Sequence, residues 1–562
     1  MIVRPPDWRW IAALCLAFQW GALAAPPTLD HLYPVAIQAG TTQQVSVIGK
    51  VEPWPPQVWV DSPGIHIQPQ TNSGLLTIRV DANVPPAAHA LRLFNAEGAS
   101  PVRVLVTTGE PQTAEVEPND HFRKPQAIPV LPAAVNGRLD KNGDVDSYSI
   151  QLKENQTVIA WIEAFVLASP IDAVLRLTDA NGVQVALNHD DGKTFDPFLA
   201  WTAKTAGTYI LQIFGFAYPA GSEVRFAGSS ASVYRLLISA GPFVHHTLPL
   251  GLSCGKTNTL RGVGWNLPGG QELSTEAAAI ACGTGSGMQM IQFPGVANPV
   301  SVLLGNGPET LESEPNDQLA QAAAIAIPGA ATGTISTPGD IDRYRFEASK
   351  GDALAFQVNS ASLGFPMDAW LRLEDKSGKE LARTDDGANA DPAIEWTAPE
   401  TGSYQVVVGN LLHRGNSDCL YRLSLDRRVP RIEVSVAASA FTLKSAETNE
   451  VPVTVKRLHG DKRPLRLSAR GLPAGVSCES IAVPEAGGEI KLKLITIQAA
   501  KAWSGEIQFV AVEDQGGAEH SARFSIVATG TDNGVPNGFH KLLVDRVDRL
   551  WLTVLPPPPA KP

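Results

Sequence analysis

One long segment occurs twice in this chain, and no other feature restricts its fold as strongly. Glu115-Val116-Glu117-Pro118-Asn119-Asp120 returns as Glu312-Ser313-Glu314-Pro315-Asn316-Asp317, and the correspondence then runs in order through both segments. Gly137 matches Gly333. Asp144-Val145-Asp146-Ser147-Tyr148 matches Asp340-Ile341-Asp342-Arg343-Tyr344, and Leu175-Arg176-Leu177 matches Leu371-Arg372-Leu373. Further on, Asp190-Asp191-Gly192, Asp196-Pro197 and Trp201-Thr202-Ala203 match Asp385-Asp386-Gly387, Asp391-Pro392 and Trp396-Thr397-Ala398. The closing pieces Gly207-Thr208-Tyr209 and Tyr234-Arg235-Leu236 match Gly402-Ser403-Tyr404 and Tyr421-Arg422-Leu423. A segment duplicated with this fidelity is a folding unit that buries its own core in each copy.

A fainter repeat precedes each copy. Pro34, Gly40, Thr42 and Gly49 align with Pro249, Gly255, Thr257 and Gly264. The predicted layout is therefore a leader (1–24), a small module (25–110), a large module (111–240), a small module (241–309), a second large module (310–427), a last module (428–555) and a proline-rich tail (556–562).

Within these units the pattern has period two. Tyr148, Ile150 and Leu152 alternate with polar residues, as do Tyr344 and Phe346, and as do Ile490, Leu492 and Leu494. Asn181-Gly182 and Ser377-Gly378 sit between strand-like runs and read as hairpin turns. Gly207 and Gly402 open further strands, and Gly471-Leu472-Pro473-Ala474-Gly475 is a turn in the last module. Short strands punctuated this often by 49 glycines and 44 prolines predict an all-β protein, a string of antiparallel β-sandwich domains. One short helix is expected at Glu272–Cys282. Ile495 and Ile497 continue one residue out of phase with Ile490–Leu494, which predicts a bulge.

The chain begins with Arg4 and Arg9, an apolar run from Trp10 to Leu23, and Ala22-Leu23-Ala24, the pattern of a cleaved export signal with the mature start near Ala25. The run is too short to span a bilayer comfortably, and no later stretch replaces it. The expected location is secreted, periplasmic or cell-surface, with no membrane span after cleavage. Export permits disulfides. Of the four mature cysteines, Cys254 and Cys282 form the most plausible pair, although three connectivities exist. The net charge of -11 and the lack of basic blocks argue against nucleic acid as a partner.

The duplicated segment resembles the bacterial pre-peptidase C-terminal domain family. Glu117–Asp120, Asp144–Tyr148, Leu175–Gly182 and Gly207–Tyr209, with their second-copy equivalents, carry the resemblance. It implies a jelly-roll-like sandwich, non-catalytic itself, attached to secreted proteases or surface proteins. The small modules resemble immunoglobulin-like repeats in exported proteins of planctomycete-type bacteria, and the last module resembles an immunoglobulin-type sandwich. In collagen-binding modules related to the family, the acidic opening segment binds calcium.

The residues themselves allow that chemistry. In an extended segment Glu115 and Glu117 face one side, and Asn119-Asp120 follow in a turn fixed by Pro118. Crowded carboxylates repel one another, and a hard cation relieves that repulsion. Calcium takes about six to eight oxygens. Glu115, Glu117, Asn119, Asp120, Asp144 and Asp146 are the candidate ligands in the first copy, and Glu312, Glu314, Asn316, Asp317, Asp340 and Asp342 in the second. The alternative is turn chemistry, in which the same groups accept backbone N–H bonds.

Asp190-Asp191 and Asp385-Asp386 read as solvated turns, Trp201 and Trp396 as core residues, and His245-His246 as a strand end. Gly283–Gly287 lacks the lysine and helix of a phosphate loop, and none of the common hydrolase signatures occurs. The functional expectation is an exported, non-catalytic protein that binds or spaces, its partner an extracellular polymer or protein. The alternative is an accessory carbohydrate- or protein-binding chain serving a secreted hydrolase.

Overall fold

The structure, a computed structural model, describes residues 25–190, 196–216, 226–280, 287–296, 298–385, 387, 391–498, 500–528 and 542–556. The leader, Cys282, Asp191, Asp386, most of Gly283–Gly287 and the end of the proline tail lie outside the described residues. The described regular structure is strand throughout, apart from three single-turn 3-10 helices.

Alternation in the sequence becomes alternation in burial. Along Asp146–Leu152, Tyr148, Ile150 and Leu152 are buried while Gln151 is exposed. The same happens along Ile341–Ala348. Each large module packs two five-membered strand paths face to face. In the first module, one sheet runs Gln112–Ala114, Ala133–Arg138, Val233–Ser239, Thr157–Glu163, Phe198–Thr202. The other runs Gln126–Ala127, Asp146–Leu152, Gly207–Phe216, Asp172–Asp179, Gln184–Asn188, with the short strand Phe226–Ala227 beside it. The second module repeats this order strand for strand. Its sheets are Glu309–Leu311, Gly329–Thr334, Leu420–Arg427, Ala353–Asn359, Ala393–Thr397, and Ala323–Ala324, Ile341–Ala348, Gly402–Asn410, Ala369–Asp375, Glu380–Thr384. Trp201 and Trp396 pack against the edges of the two cores, their rings 4.9 and 4.8 Å from Tyr209 and Tyr404.

The small modules and the last module are also two-sheet sandwiches, and the last adds the hairpin Phe524–Ala528/Leu542–Val547. Two local expectations fail. Glu272 lies in the strand Gly270–Ala277, paired antiparallel with Asn258–Leu267. The short alternation of exposed Glu272, Ser274 and Glu276 with half-buried Leu273 and Thr275 wins over the alanine-rich helix pattern. Nor is there a bulge at Ile495. The pairing of Gly488–Thr496 with Thr448–Leu458 runs unbroken. Thr496 takes the buried position, and Ile495 and Ile497 project outward.

The first and last modules touch. Arg92 is fully buried, its guanidinium 5.5 Å from the Trp59 ring and 5.6 Å from the Trp551 ring, and it donates to the Ser439 carbonyl across the two modules. Trp59 donates from its indole to Glu506 at 2.6 Å. Residues more than four hundred positions apart thus share a desolvated, cation–π-stabilised contact. Cys419 and Cys478 stand unpaired in different modules.

Candidate functional site

In each large module the repeated acidic motif lies against the start of a core strand, Asp146–Leu152 or Ile341–Ala348, with one aspartate just before the strand and one inside it. In the first copy Asp144 and Asp146 are fully buried, and Asn119 is 1 % exposed. Glu117 reaches over them, so that one oxygen each of Glu117, Asp144 and Asp146 lies within 4.8 Å of the others. In the second copy Glu312, Glu314 and Asp342 are gathered in the same way.

The backbone accounts for part of each carboxylate. Glu117 accepts the Asn119 N–H at 3.0 Å and Glu314 the Asn316 N–H at 2.9 Å. Glu115 accepts the Arg138 N–H at 2.7 Å, and Glu312 the Thr334 N–H at 2.7 Å. Asp144 accepts the Asp140 N–H at 2.6 Å, and Asp340 the Ser336 N–H at 2.7 Å. This is the turn chemistry expected of Asx and Glu groups.

The backbone leaves a remainder. Oδ1 of Asp146, Oδ1 of Asp342, Oε2 of Glu312 and both polar atoms of Asn119 and Asn316 are buried without a hydrogen-bond partner. Orphaned buried polar atoms are costly and rare, so a concentration of them in one spot fits a missing ligand. The donor set is all oxygen, hard and anionic, which suits calcium rather than a softer ion. Burial, reinforced by neighbouring carboxylates, pushes Glu115, Asp146, Glu312 and Asp342 upward, so each site favours a proton when no cation is present. Glu117, Glu314 and Asp144 are raised for the same reason.

Asp120 and Asp317 are not gathered in. Asp120 is exposed and lies 3.5 Å from the Lys141 ammonium, while Asp317 is exposed and accepts from the Ile341 N–H at 3.5 Å.

Sequence reasoning passed over the tyrosines behind each cluster. Tyr234 donates to Asp146 Oδ2 at 2.5 Å and lies 2.7 Å from the Tyr148 hydroxyl. Tyr421 donates to Asp342 at 2.5 Å and lies 2.7 Å from Tyr344. With each aspartate ionised, its tyrosine spends its one proton on the carboxylate, so the second tyrosine must donate to the first. The signal was present: all four tyrosines recur between copies. Gly137 and Gly333 belong to the same device. A Cβ at Gly137 would overlap the Tyr234 phenol, and one at Gly333 would overlap the Tyr421 hydroxyl and the Glu312 carboxylate. Gly333→Ala is expected to destabilise the second large module by about 1–3 kcal/mol, as overpacking does. An unchanged urea midpoint for that variant would refute this packing argument.

Another cluster joins Asp172, His189 and exposed Asp190 in the first copy. His189 already bonds to Asp172 at 2.8 Å, and Thr384 replaces it in the second copy. His245 packs against Phe198 and Trp265 where two modules meet.

The model of the bacterial pre-peptidase C-terminal domain family matches residues 340–410, inside the second large module. Over 111 residues the chain is 34% identical to a probable subtilase-type serine protease of Deinococcus radiodurans. That match covers 19% of this chain and 15% of the relative. Among solved structures, the pre-peptidase C-terminal domain of a Bacillus anthracis collagenase is similar at 17% identity, over 20% of this chain and 99% of that one, with a TM-score of 0.17. A Clostridium perfringens ZmpB structure, holding an M60 catalytic domain with CBM51 domains, aligns at 10% identity over 71% of this chain and 45% of that one, with a TM-score of 0.15. Among the described residues, no helix is long and apolar enough to cross a membrane.

Proposed function

We propose that this chain is an exported, non-catalytic accessory protein whose two large modules are of one pre-peptidase C-terminal type, each stiffened by calcium at its opening segment. The orphaned buried oxygens of the duplicated acidic cluster carry this reading, because turn chemistry leaves them unexplained. The shared sheet order supports treating residues 111–240 as a second copy of the matched module. The protease relative supports service to a secreted hydrolase, since the matched part is a minor share of that protein. Calcium held between the opening segment and the Asp-x-Asp strand would fix the direction in which the preceding module leaves the sandwich. Glu117, Asp144 and Asp146 would hold it in the first copy, and Glu312, Glu314 and Asp342 in the second, with Asn119 and Asn316 beside them.

Thermal unfolding of the full chain in millimolar calcium against chelator tests this. At about 100-fold excess over the dissociation constant, a native-state ligand adds roughly 2.7 kcal/mol. The rise should vanish when Glu117 and Glu314 are both changed to Ala; equal melting in calcium and chelator for the wild type would remove calcium from the account. Retention on insoluble polysaccharide or protein polymers separates a binding chain from a pure spacer, because a spacer retains none.

A further inference from the structure

The two acidic clusters are built from the same motif but are not equally in need of a cation. In the first copy two groups from outside the motif already compensate the carboxylates. The Lys141 ammonium stands 3.5 Å from Asp120 and 3.8 Å from Asp144. The Tyr33 hydroxyl, from the preceding small module, donates to Glu115 at 3.2 Å. Arg138 covers the Tyr33 ring at 4.7 Å and holds that module against the site.

The second copy lacks both. Thr337 occupies the position of Lys141, and Leu248 that of Tyr33. Leu248 packs with Leu250, Phe365 and Leu420 and has no hydroxyl to offer. Asp340 finds its partners in the Ser336 N–H and hydroxyl, at 2.7 and 3.0 Å, neither of them charged. The consequence is visible at Glu312. Its Oε2 is buried without a hydrogen-bond partner, whereas Asp342 Oδ1 and the side chain of the 1 % exposed Asn316 are no barer than Asp144 Oδ1, Asp146 Oδ1 and the Asn119 side chain of the first copy, which also lack hydrogen bonds. Glu115, its equivalent, has each oxygen engaged.

From this asymmetry we infer that the two copies are graded divalent-cation sites: the second, with no ammonium and no hydroxyl from the preceding module on its carboxylates, takes the tight calcium, and the first is tuned weak by Lys141 and Tyr33. The inference rests on the calcium reading above and assigns its occupancy. The ammonium beside the ligand carboxylate of Asp144 repels an incoming cation, and the hydroxyl bonded to Glu115 offsets part of the negative charge that would draw it in. Together these separate the sites by at least about tenfold in affinity, the equivalent of one decade per 1.4 kcal/mol. At intermediate calcium only the second large module would be stiffened by the cation, and the first would depend on the Tyr33 and Arg138 contacts with the module before it.

Isothermal titration of calcium into the chelator-stripped full chain reads this directly. The wild type should show one tight step and one at least about tenfold weaker. Glu314→Gln should remove the tight step, and Glu117→Gln only the weak one. Lys141→Thr combined with Tyr33→Phe should bring the two steps together by strengthening the weak one. Lys141 is exposed, so its replacement leaves the fold intact, and circular dichroism checks each variant. Two equal steps in the wild type, or loss of the tight step with Glu117→Gln, would overturn the grading while leaving calcium binding in place. No saturable binding up to millimolar calcium would instead sink the calcium reading itself.

Discussion

Asp391→Ala is expected to lower the stability of the second large module by about 3–5 kcal/mol, a large part of what a domain of this size possesses. Asp391 is 3 % exposed and precedes Pro392 at the start of the strand Ala393–Thr397. Its two oxygens accept three consecutive backbone N–H groups, Ser360 at 3.1 Å, Ala361 at 2.9 Å and Ser362 at 3.0 Å. These donors begin the single-turn helix Ala361–Leu363, too short to satisfy them itself. With alanine at 391 all three lose their acceptor; the Ser360 N–H is buried and those of Ala361 and Ser362 partly so, and a fully buried orphaned donor costs about 1–3 kcal/mol. Relaxation and water entry keep the total below the sum. The expected fall in the module's melting temperature is roughly 10–20 °C.

The first copy repeats the device. Asp196 accepts from Ala164 at 3.0 Å, Phe165 at 2.8 Å and Val166 at 3.2 Å. Burial pushes Asp196 up to about 7, and the three backbone donors pull against that shift. Desolvation therefore consumes part of what the bonds contribute, and Asp196→Ala should cost less than three orphaned donors alone would. Asp391→Asn should fall between wild type and alanine, because its amide keeps one acceptor and turns a donor toward N–H groups. A urea midpoint for Asp391→Ala within about 0.5 kcal/mol of wild type would show that this aspartate is a surface turn residue.

These cases show where the sequence was readable. Repeats, hairpins at Asn181-Gly182 and Ser377-Gly378, and the inward set Tyr148, Ile150 and Leu152 are local or periodic, so they survive in a linear string. Asp196-Pro197 and Asp391-Pro392 were visible as repeated pairs, but their role depends on backbone about thirty residues away. Tyr33 reaches Glu115 from another module, and Arg92 meets Trp551 across nearly the whole chain. No spacing rule encodes such contacts. Glu272 went astray because a short run is compatible with a period of 2 as well as 3.6 and the partner strand decides; Ile495 did because apolar Ile495 and Ile497 read as inward-facing, while Thr496 takes the buried position. In the acidic motif the residue types were legible. The sequence could not reveal that Asp120 and Asp317 face outward while Asp146 and Asp342 are tied to tyrosines.

The second large effect is a stability that runs opposite ways with pH according to whether calcium is present. Burial and neighbouring carboxylates raise Glu115, Asp146, Glu312 and Asp342 above their unfolded values near 4. A folded-state pKa above the unfolded one means that the native state binds more protons. The favourable contribution is then fully present below about pH 4 and is lost as pH rises through neutrality. In chelator these four groups should therefore make the protein less stable at pH 8 than at pH 5.5, at about 1.4 kcal/mol for each unit of net shift. Calcium requires the deprotonated oxygens, so its stabilisation should grow over the same interval and reverse the trend. Glu115→Gln with Glu312→Gln isolates the effect, because a neutral amide mimics the protonated acid. In chelator at pH 8 that variant should be more stable than wild type by about 1–3 kcal/mol, with a flatter pH profile and a diminished response to calcium. Urea unfolding at the two pH values, with and without calcium, measures all of this. A double variant less stable than wild type at pH 8 in chelator would mean that the buried carboxylates are well solvated or otherwise paired, and that the clusters carry no unmet charge for a cation to answer.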